Sequence, residues 1–298
     1  MLFLAGLWLI AFILDIIISH RFARTEAWDN KVWNEMLHSE MNNDFLILGS
    51  SRAFLQYDPR IIDSVLHTNS YNLGRDGKRI DVQRLTYYIY KKYENTPPKT
   101  IVLDFFDGSL ALSDPYNGAF YYPYLWESNI WNTVSHTHDM PFYWRYVPLL
   151  RYYSQWGFIN NMMHSESNIH KGYQGFDRIW NGSEFDKIDK IDYLHEDTAI
   201  VLLDNLLADC TNDGINVVLV HSPIYSKYWD KFPDSAEMWS LYRSFAYKYD
   251  IPLLDYTKDP MCEDTAYFYN ARHLNRLGAE MFTRKLAHDL DSMGYSVR

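Results

Sequence analysis

The sequence predicts an α/β fold: a mostly parallel sheet with helices on both faces, carried behind an apolar N-terminal helix. Three observations carry that prediction. Short, almost wholly apolar runs of strand length recur, among them Phe45–Leu48, Thr100–Phe105 and "INVVLV" at 215–220. Amphipathic stretches of helical length lie between them, such as Asp81–Tyr93, Glu196–Asp209 and Ser235–Tyr249. The separators are turn formers: Gly49, "GRDG" at 74–77, Pro97-Pro98 and "NDG" at 212–214. Strand and helix alternating at this spacing give a parallel sheet, and strands without polar alternation are those buried on both faces.

The first element is "LFLAGLWLIAFILDIIIS", residues 2–19, apolar apart from Asp15. As a helix it spans roughly 27 Å, close to the thickness of a bilayer core. No basic start and no small-residue cleavage site accompany it, so the expectation is an uncleaved single-pass anchor rather than a signal peptide. An Asp in lipid is costly, which places Asp15 near an interface or beside a partner. His20, Arg21 and Arg24 follow the segment, and no Lys or Arg precedes it. That charge pattern favours a cytoplasmic domain, against the extracytoplasmic placement expected below on other grounds.

Residues 20–43 read as a polar juxtamembrane helix, and 44–298 as the α/β domain. Within it Phe45–Leu48 is strand one. Pro59–Leu66 is a short helix with Pro in its first turn, and Tyr71–Leu73 is a brief second strand. Asp81–Tyr93 is a helix capped by Asp81, and Thr100–Phe105 is strand three. An aromatic insertion at about 108–195 interrupts the alternation. It is followed by the helix Glu196–Asp209, strand four at 215–220, the helix Ser235–Tyr249, strand five at Ile251–Leu254 and the helix Arg276–Met293. The whole is expected to be a flavodoxin-like three-layer sandwich with a five-stranded parallel sheet.

Composition narrows the function. The net charge is −10 and no basic run appears, which excludes a general nucleic-acid binder. Two cysteines cannot build a thiolate metal site; Cys210, after an apolar run, is expected to be a buried helix thiol. His136, His138 and Asp139 fit no strong metal-ligand spacing, so no metal is expected.

In an open parallel sheet, functional groups gather at the carboxyl ends of the strands. Strand one delivers Gly49-Ser50-Ser51-Arg52 there, strand two Asn72-Leu73-Gly74, strand three Asp104 and Asp107, and strand four His221-Ser222. The segment before the last helix, "YFYNARHLNRLGA", delivers Asn270 and His273. A serine hydroxyl needs a base, for which His273 is the best placed. The imidazole needs a third group to fix its tautomer, and Asn270 can supply it if the backbone turns there. The N–H groups of Ser51 and Gly74 are candidate oxyanion donors.

These residues resemble the SGNH, or GDSL-type, hydrolases. "ILGSSRA" is similar to that family's first block, with Ser51 at the nucleophile and Ser50 in place of the usual Asp. "YNLGRDG" resembles the second block, with Gly74 at the oxyanion-supporting glycine. "YNARHLNRLGA" resembles the last block, with His273 at the base and Asn270 where the family has Asp. The likeness covers roughly 1–107 and 196–298. It is closer to a membrane-anchored branch of surface-polymer acylation proteins, DltD-like and alginate-acetylation-like. The family's third-block Asn has no match; Asp107 stands nearest, and its carboxylate would repel an oxyanion.

Plainer readings accompany several positions. Ser50 and Ser51 are also good helix caps. Arg52 either pairs with an internal carboxylate or meets an anionic substrate. Asn72 either satisfies buried backbone groups or lines the site. His221 is expected to be structural or site-lining. The inserted rings pack on the sheet, stack on sugars or meet the membrane interface.

The expectation that follows is a serine-dependent acyl-ester hydrolase or O-acyltransferase acting on a cell-surface carbohydrate polymer. It would need no cofactor. The alternative is a non-catalytic binding or assembly subunit of the same fold in a membrane acylation or polysaccharide export complex, its anchor serving a partner such as a multi-pass membrane acyltransferase.

Overall fold

The computed structural model describes residues 1–26, 28–94, 96–113, 118–137, 139–153, 155, 157, 159–161, 168–183, 185–187, 190–193 and 195–296. Helix α1 covers Leu2–Phe22 and α2 Trp28–Leu37. Strand β1 (Phe45–Leu48) leads into α3 (Ser51–Gln56), α4 (Pro59–Leu66), β2 (Ser70–Asn72), α5 (Ile80–Tyr93) and β3 (Thr100–Asp104). The aromatic stretch holds a 3-10 segment at Gly118–Tyr124 and helices α6 (Ser128–Thr137) and α7 (Tyr143–Tyr146). Then come α8 (Asp197–Asn212), β4 (Asn216–His221), α9 (Ser235–Tyr249) and β5 (Leu253–Asp255). The chain closes with the antiparallel pair β6 (Phe268–Asn270) and β7 (His273–Leu274), and with α10 (Arg276–Ser292).

The main sheet is parallel, in the order β2-β1-β3-β4-β5. This is the flavodoxin-like order, whose switch point lies between β1 and β3. Phe45 pairs with Ser70 on one side and with Thr100 on the other. The FLIL of β1 and the TIVLD of β3 are buried throughout, as strands covered on both faces must be.

Local chemistry sets the helix ends. Asp58 caps α4, accepting the Arg60 N–H at 3.0 Å, with Pro59 at the first position. Asn275 caps α10, accepting the Gly278 N–H at 3.0 Å. Ala279, Phe282, Leu286 and Leu290 then form its buried stripe. Helix α8 runs on to Asn212, past the expected end, and stops where Gly214 takes φ +72°. Asp81 does not cap α5. The Gln83 N–H reaches Arg79 O at 2.9 Å, so Asp81 lies in the first turn. Strand β5 starts later than expected because Pro252 has no N–H for the ladder. Cys210 is buried on α8 and Cys262 is also buried; both are free thiols.

The chain divides into two compact units. One comprises Met1–Met41, Leu85–Glu94 and Ser113–Asn168; the other comprises Asn42–Arg84, Asn95–Leu112 and Ile169–Arg298. In the first, α1 is long and apolar enough to cross a membrane, with a mean hydropathy of 2.5. The helix ends at Phe22 and α2 is separate, where one continuous stretch of 20–43 was expected. Many rings of the aromatic stretch are buried on the N-terminal helices. Trp33 meets Tyr121 edge-on at 5.7 Å, Phe22 stacks on Tyr152 at 6.0 Å, and Tyr124 Oη donates to Asn34 Oδ1 at 2.6 Å. His138, named in the sequence reading, lies outside the described residues.

Candidate active site

The site belongs wholly to the second unit. Strand β1 ends in Gly49-Ser50, and α3 begins at once with Ser51. A Cβ on Gly49 would lie 2.6 Å from Ala53 Cβ and 3.1 Å from Asp104 Cβ, so only glycine lets the strand turn this tightly into the helix. Ser50 stands at the N-cap position, but its side chain makes no capping bond. Ser51 Oγ is instead 2.8 Å from His273 Nε2, across 222 positions of sequence.

The β6–β7 pair presents the histidine. Asn270 opposes His273 in the ladder, and the register is irregular between Phe268 and Asn270. Asn270 Oδ1 accepts three N–H groups: His273 Nδ1 at 2.9 Å, the Arg272 backbone at 2.9 Å and the His273 backbone at 3.1 Å. An amide oxygen only accepts, so Nδ1 carries the proton and Nε2 is left to accept from Ser51 Oγ. The turn that the sequence reading required of Asn270 is present, and the amide oxygen itself fixes it. Burial, followed by the charges of Arg272 and Arg52, lowers the His273 imidazole from its ordinary value to about 3.

The other sequence-predicted residues divide. Gly74 does not present an open amide: its N–H donates to Asn72 Oδ1 at 2.9 Å. Its need for glycine comes from packing, since a Cβ there would lie 2.6 Å from both Ala53 Cβ and Phe54 N. Asn72 is likewise committed inward. It is fully buried, and its Nδ2 donates to Ala53 O at 2.7 Å and Tyr57 O at 2.8 Å. Of the two readings the sequence left open for Asn72, the structure shows the inward one: the side chain satisfies buried backbone groups and fastens the β2 loop to α3.

Arg52 is also turned inward, to an internal carboxylate rather than to a ligand. Its Nε lies 3.8 Å from Asp104 Oδ2, and its guanidinium donates to Ser222 Oγ at 2.7 Å and to Ser222 O. Sequence reasoning missed most of this network. Tyr57 Oη donates to Asp104 Oδ1 at 2.6 Å, Ser222 Oγ to Gln56 Oε1 at 2.8 Å, and Gln56 Nε2 to Pro223 O at 3.1 Å. These bonds join the carboxyl ends of β3 and β4 to α3, the helix that begins with Ser51. Burial raises the Asp104 carboxyl against the pull of Arg52. His221, buried against Arg52, is held well below the ordinary imidazole range by burial and then by that guanidinium. It makes no described contact with Ser51.

Asp107 is buried, but it is not a bare charge. Arg272 Nη2 stands 3.5 Å from its carboxylate. The Arg272 guanidinium also lies over the rings of Phe106 (5.8 Å) and Tyr228 (5.7 Å). Burial and then Asp107 raise the Tyr228 hydroxyl, which stays protonated beside that carboxylate. Arg272 and Tyr228 were not singled out in the sequence. The only signal was the position of Arg272 next to His273.

The segments containing Ser51 and His273 meet beside a five-stranded parallel sheet of flavodoxin-like order. No family model matches the chain, and no curated protein matches it. Among solved structures it is similar to a putative acylhydrolase from Bacteroides fragilis NCTC 9343, at 12% identity over 82% of this chain and 86% of that one, with a TM-score of 0.39. It is also similar to a GDSL-like lipase from Bacteroides thetaiotaomicron VPI-5482, at 10% identity over 90% of this chain and 98% of that one, with a TM-score of 0.41.

Proposed function

We propose that the chain is a membrane-anchored, serine-dependent acyl-ester hydrolase or O-acyltransferase acting on a cell-surface carbohydrate polymer. The observation that carries this reading is the relay Ser51 Oγ–His273 Nε2 at 2.8 Å with His273 Nδ1–Asn270 Oδ1 at 2.9 Å.

In this mechanism Ser51 Oγ attacks the acyl carbonyl carbon as its proton passes to His273 Nε2. The carbonyl π electrons move to oxygen, then return to expel the first alcohol, which takes the proton from His273. Water or a sugar hydroxyl then attacks the acyl-serine by the reverse proton path, giving hydrolysis or transfer. The oxyanion falls to the N–H groups that open α3, beginning with Ser51, because the first amides of a helix have no intrahelical acceptor. Asn270 orients His273 but brings no negative charge to the imidazolium. Arg272 and Arg52 oppose that charge further, so His273 is a weak base in the free enzyme.

The carbohydrate assignment is supported by the resemblance of the three blocks to surface-polymer acylation proteins. It is also supported by half-exposed rings around the β6–β7 pair. Tyr269 adjoins Asn270 and lies 5.3 Å from Phe176, a surface suited to stacking on a sugar. Helix α1 supplies the anchor. A surface polymer places the domain outside the cytoplasm, and a multi-pass acyltransferase is the partner that would supply the acyl group.

The neutral Asn270 favours a second reading, a non-catalytic assembly subunit. A fluorophosphonate probe separates the two. Labelling at Ser51 that is lost in His273→Ala supports the enzyme. A chain that stays unlabelled, with its fold intact, supports the assembly subunit.

A further inference from the structure

The first unit contains a cavity of about 430 Å³ that the reaction above does not use. Its size falls in the range of small-molecule sites. One wall is a single face of α1: Phe12, Asp15, Ile16, Ser19, His20 and Ala23, spaced three and four apart. Those positions cover about 16 Å of helix rise. The face changes character along that length, from Phe12 and Ile16 to Ser19 and His20.

The opposite wall comes from the aromatic stretch, with Trp126, Arg145, Tyr146 and Arg151. Asp15 is not an open carboxylate. It is paired with Arg151 and accepts the Leu149 N–H at 2.7 Å. That pairing consumes the only acidic charge among the described residues of the cavity wall and leaves Arg145 in excess. Arg145 Nη2 donates to Trp126 O at 3.2 Å and Ser128 Oγ at 3.1 Å, and these contacts among the described residues leave its other donors open. Arg151 is nine-tenths buried, yet its Nε–H has no acceptor among the described residues. A buried donor without an acceptor is costly. The cavity thus offers an apolar end and a net positive charge carried by Arg145. At its rim Trp126 and Tyr146 are 59% and 66% exposed, amphipathic rings of the kind that settle at a bilayer interface.

We propose that this cavity binds one glycerophospholipid with an anionic head. An acyl chain lies along Phe12 and Ile16, and the phosphate is held by the donors of Arg145 that its contacts with Trp126 and Ser128 leave open. The site rests on the reading of α1 as a membrane anchor, because Phe12 and Ile16 must face hydrocarbon while His20 lies at headgroup depth. Bound there, the lipid adds to the Asp15–Arg151 pair and the Phe22–Tyr152 stack that already hold α1 to the aromatic stretch.

The test uses the full chain reconstituted in vesicles of equal parts phosphatidylglycerol and phosphatidylcholine. The first measurement is flotation after an alkaline wash. A chain that fails to float overturns the anchor, and the lipid site with it. For a chain that floats, native mass spectrometry after gentle detergent release counts retained lipids. One phosphatidylglycerol, held about tenfold or more above phosphatidylcholine as a charge-assisted bond predicts, supports the site. That preference is lost in Arg145→Gln, and all retention falls in Ile16→Trp, which fills the apolar end. Both variants must keep the wild-type melting temperature; Arg145→Lys, which retains the charge, replaces any that does not and keeps part of the preference. Equal retention of the two lipids, or wild-type preference in Arg145→Gln, overturns the proposal while leaving the anchor intact. Displacement of the bound lipid by millimolar inorganic phosphate also overturns it, because the cavity then recognises a phosphate and not a lipid.

Discussion

The Nδ1–H of His273 is given to Oδ1 of Asn270 at 2.9 Å, and the same oxygen holds the Arg272 and His273 backbone N–H groups. Orientation is therefore complete without a carboxylate. What is missing is charge: among the described residues no carboxylate faces the imidazolium that forms when Ser51 loses its proton, and two guanidinium groups disfavour it. Geometry and electrostatics are separated at this one position.

Asn270→Asp restores the charge while keeping the acceptor. The variant is expected to hydrolyse p-nitrophenyl acetate faster by about 10²-fold, inside the roughly 10⁴-fold that Asp against Asn is worth at this role in serine proteases. The acid limb of kcat/KM reports the free-enzyme imidazole. That limb lies low in the wild type, where His273 is lowered to about 3, and moves to higher pH in the variant because a neighbouring carboxylate stabilises the charged ring. An unchanged rate with an unchanged limb would remove Asn270 from the relay.

Much of the sheet and one pair of site residues were legible in the sequence, for physical reasons. Strand identity follows from local hydrophobicity, so β1, β3 and β4 could be read directly. The meeting of Ser51 with His273 could be expected because Ser51 stands where β1 leaves the sheet at its carboxyl end and His273 stands in the short segment just before the last helix. The roles of Asn72, Gly74 and Arg52 were not legible. Each stands in a motif that a substrate-binding residue could also occupy, and only three-dimensional accounting of donors and acceptors shows that their groups are already used. Arg272 and Tyr228 were missed because their meaning depends on Asp107, which lies more than a hundred residues away from either. The partner of Asp15 was equally hidden, since Arg151 sits in a stretch with no periodic signature.

Gly74→Ala tests the packing role of that glycine. The added Cβ would meet Ala53 Cβ and Phe54 N, each at 2.6 Å, and the second is backbone with no room to yield. A loss of about 1–3 kcal/mol in denaturant unfolding is expected, as for other overpacked sites. Fluorophosphonate labelling of Ser51 should fall as well, because α3 is the element displaced. A variant with full stability but no labelling would return Gly74 to the oxyanion role.

Stability should fall as the solution is acidified from pH 7 to pH 5. His221 and His273 both have folded values below their unfolded value of about 6.5. Below that pH the unfolded chain binds protons that the folded chain refuses, so unfolding is favoured as pH drops. The slope approaches about 1.4 kcal/mol per pH unit for each histidine held neutral. Asp104, raised by burial, acts with the opposite sign, and only as pH falls through its own raised value. Urea midpoints at pH 7 and pH 5 measure the effect. His221→Gln should flatten the dependence, and an equal slope in that variant would show that His221 is not kept neutral.

Arg272 is the residue whose removal pulls two quantities in opposite directions. It lowers the His273 imidazole, and it neutralises Asp107 across 3.5 Å. Arg272→Gln should therefore raise the acid limb of kcat/KM, since one positive neighbour is gone. It should also lower the rate at neutral pH, since the uncovered Asp107 carboxylate now opposes a developing oxyanion. A loss of about tenfold to a hundredfold is expected for one unscreened charge in a buried site. Asp107→Asn in the same background removes that carboxylate and should recover the rate while the raised limb persists. If the double variant is as slow as Arg272→Gln alone, Arg272 acts on the substrate itself and its pairing with Asp107 is incidental.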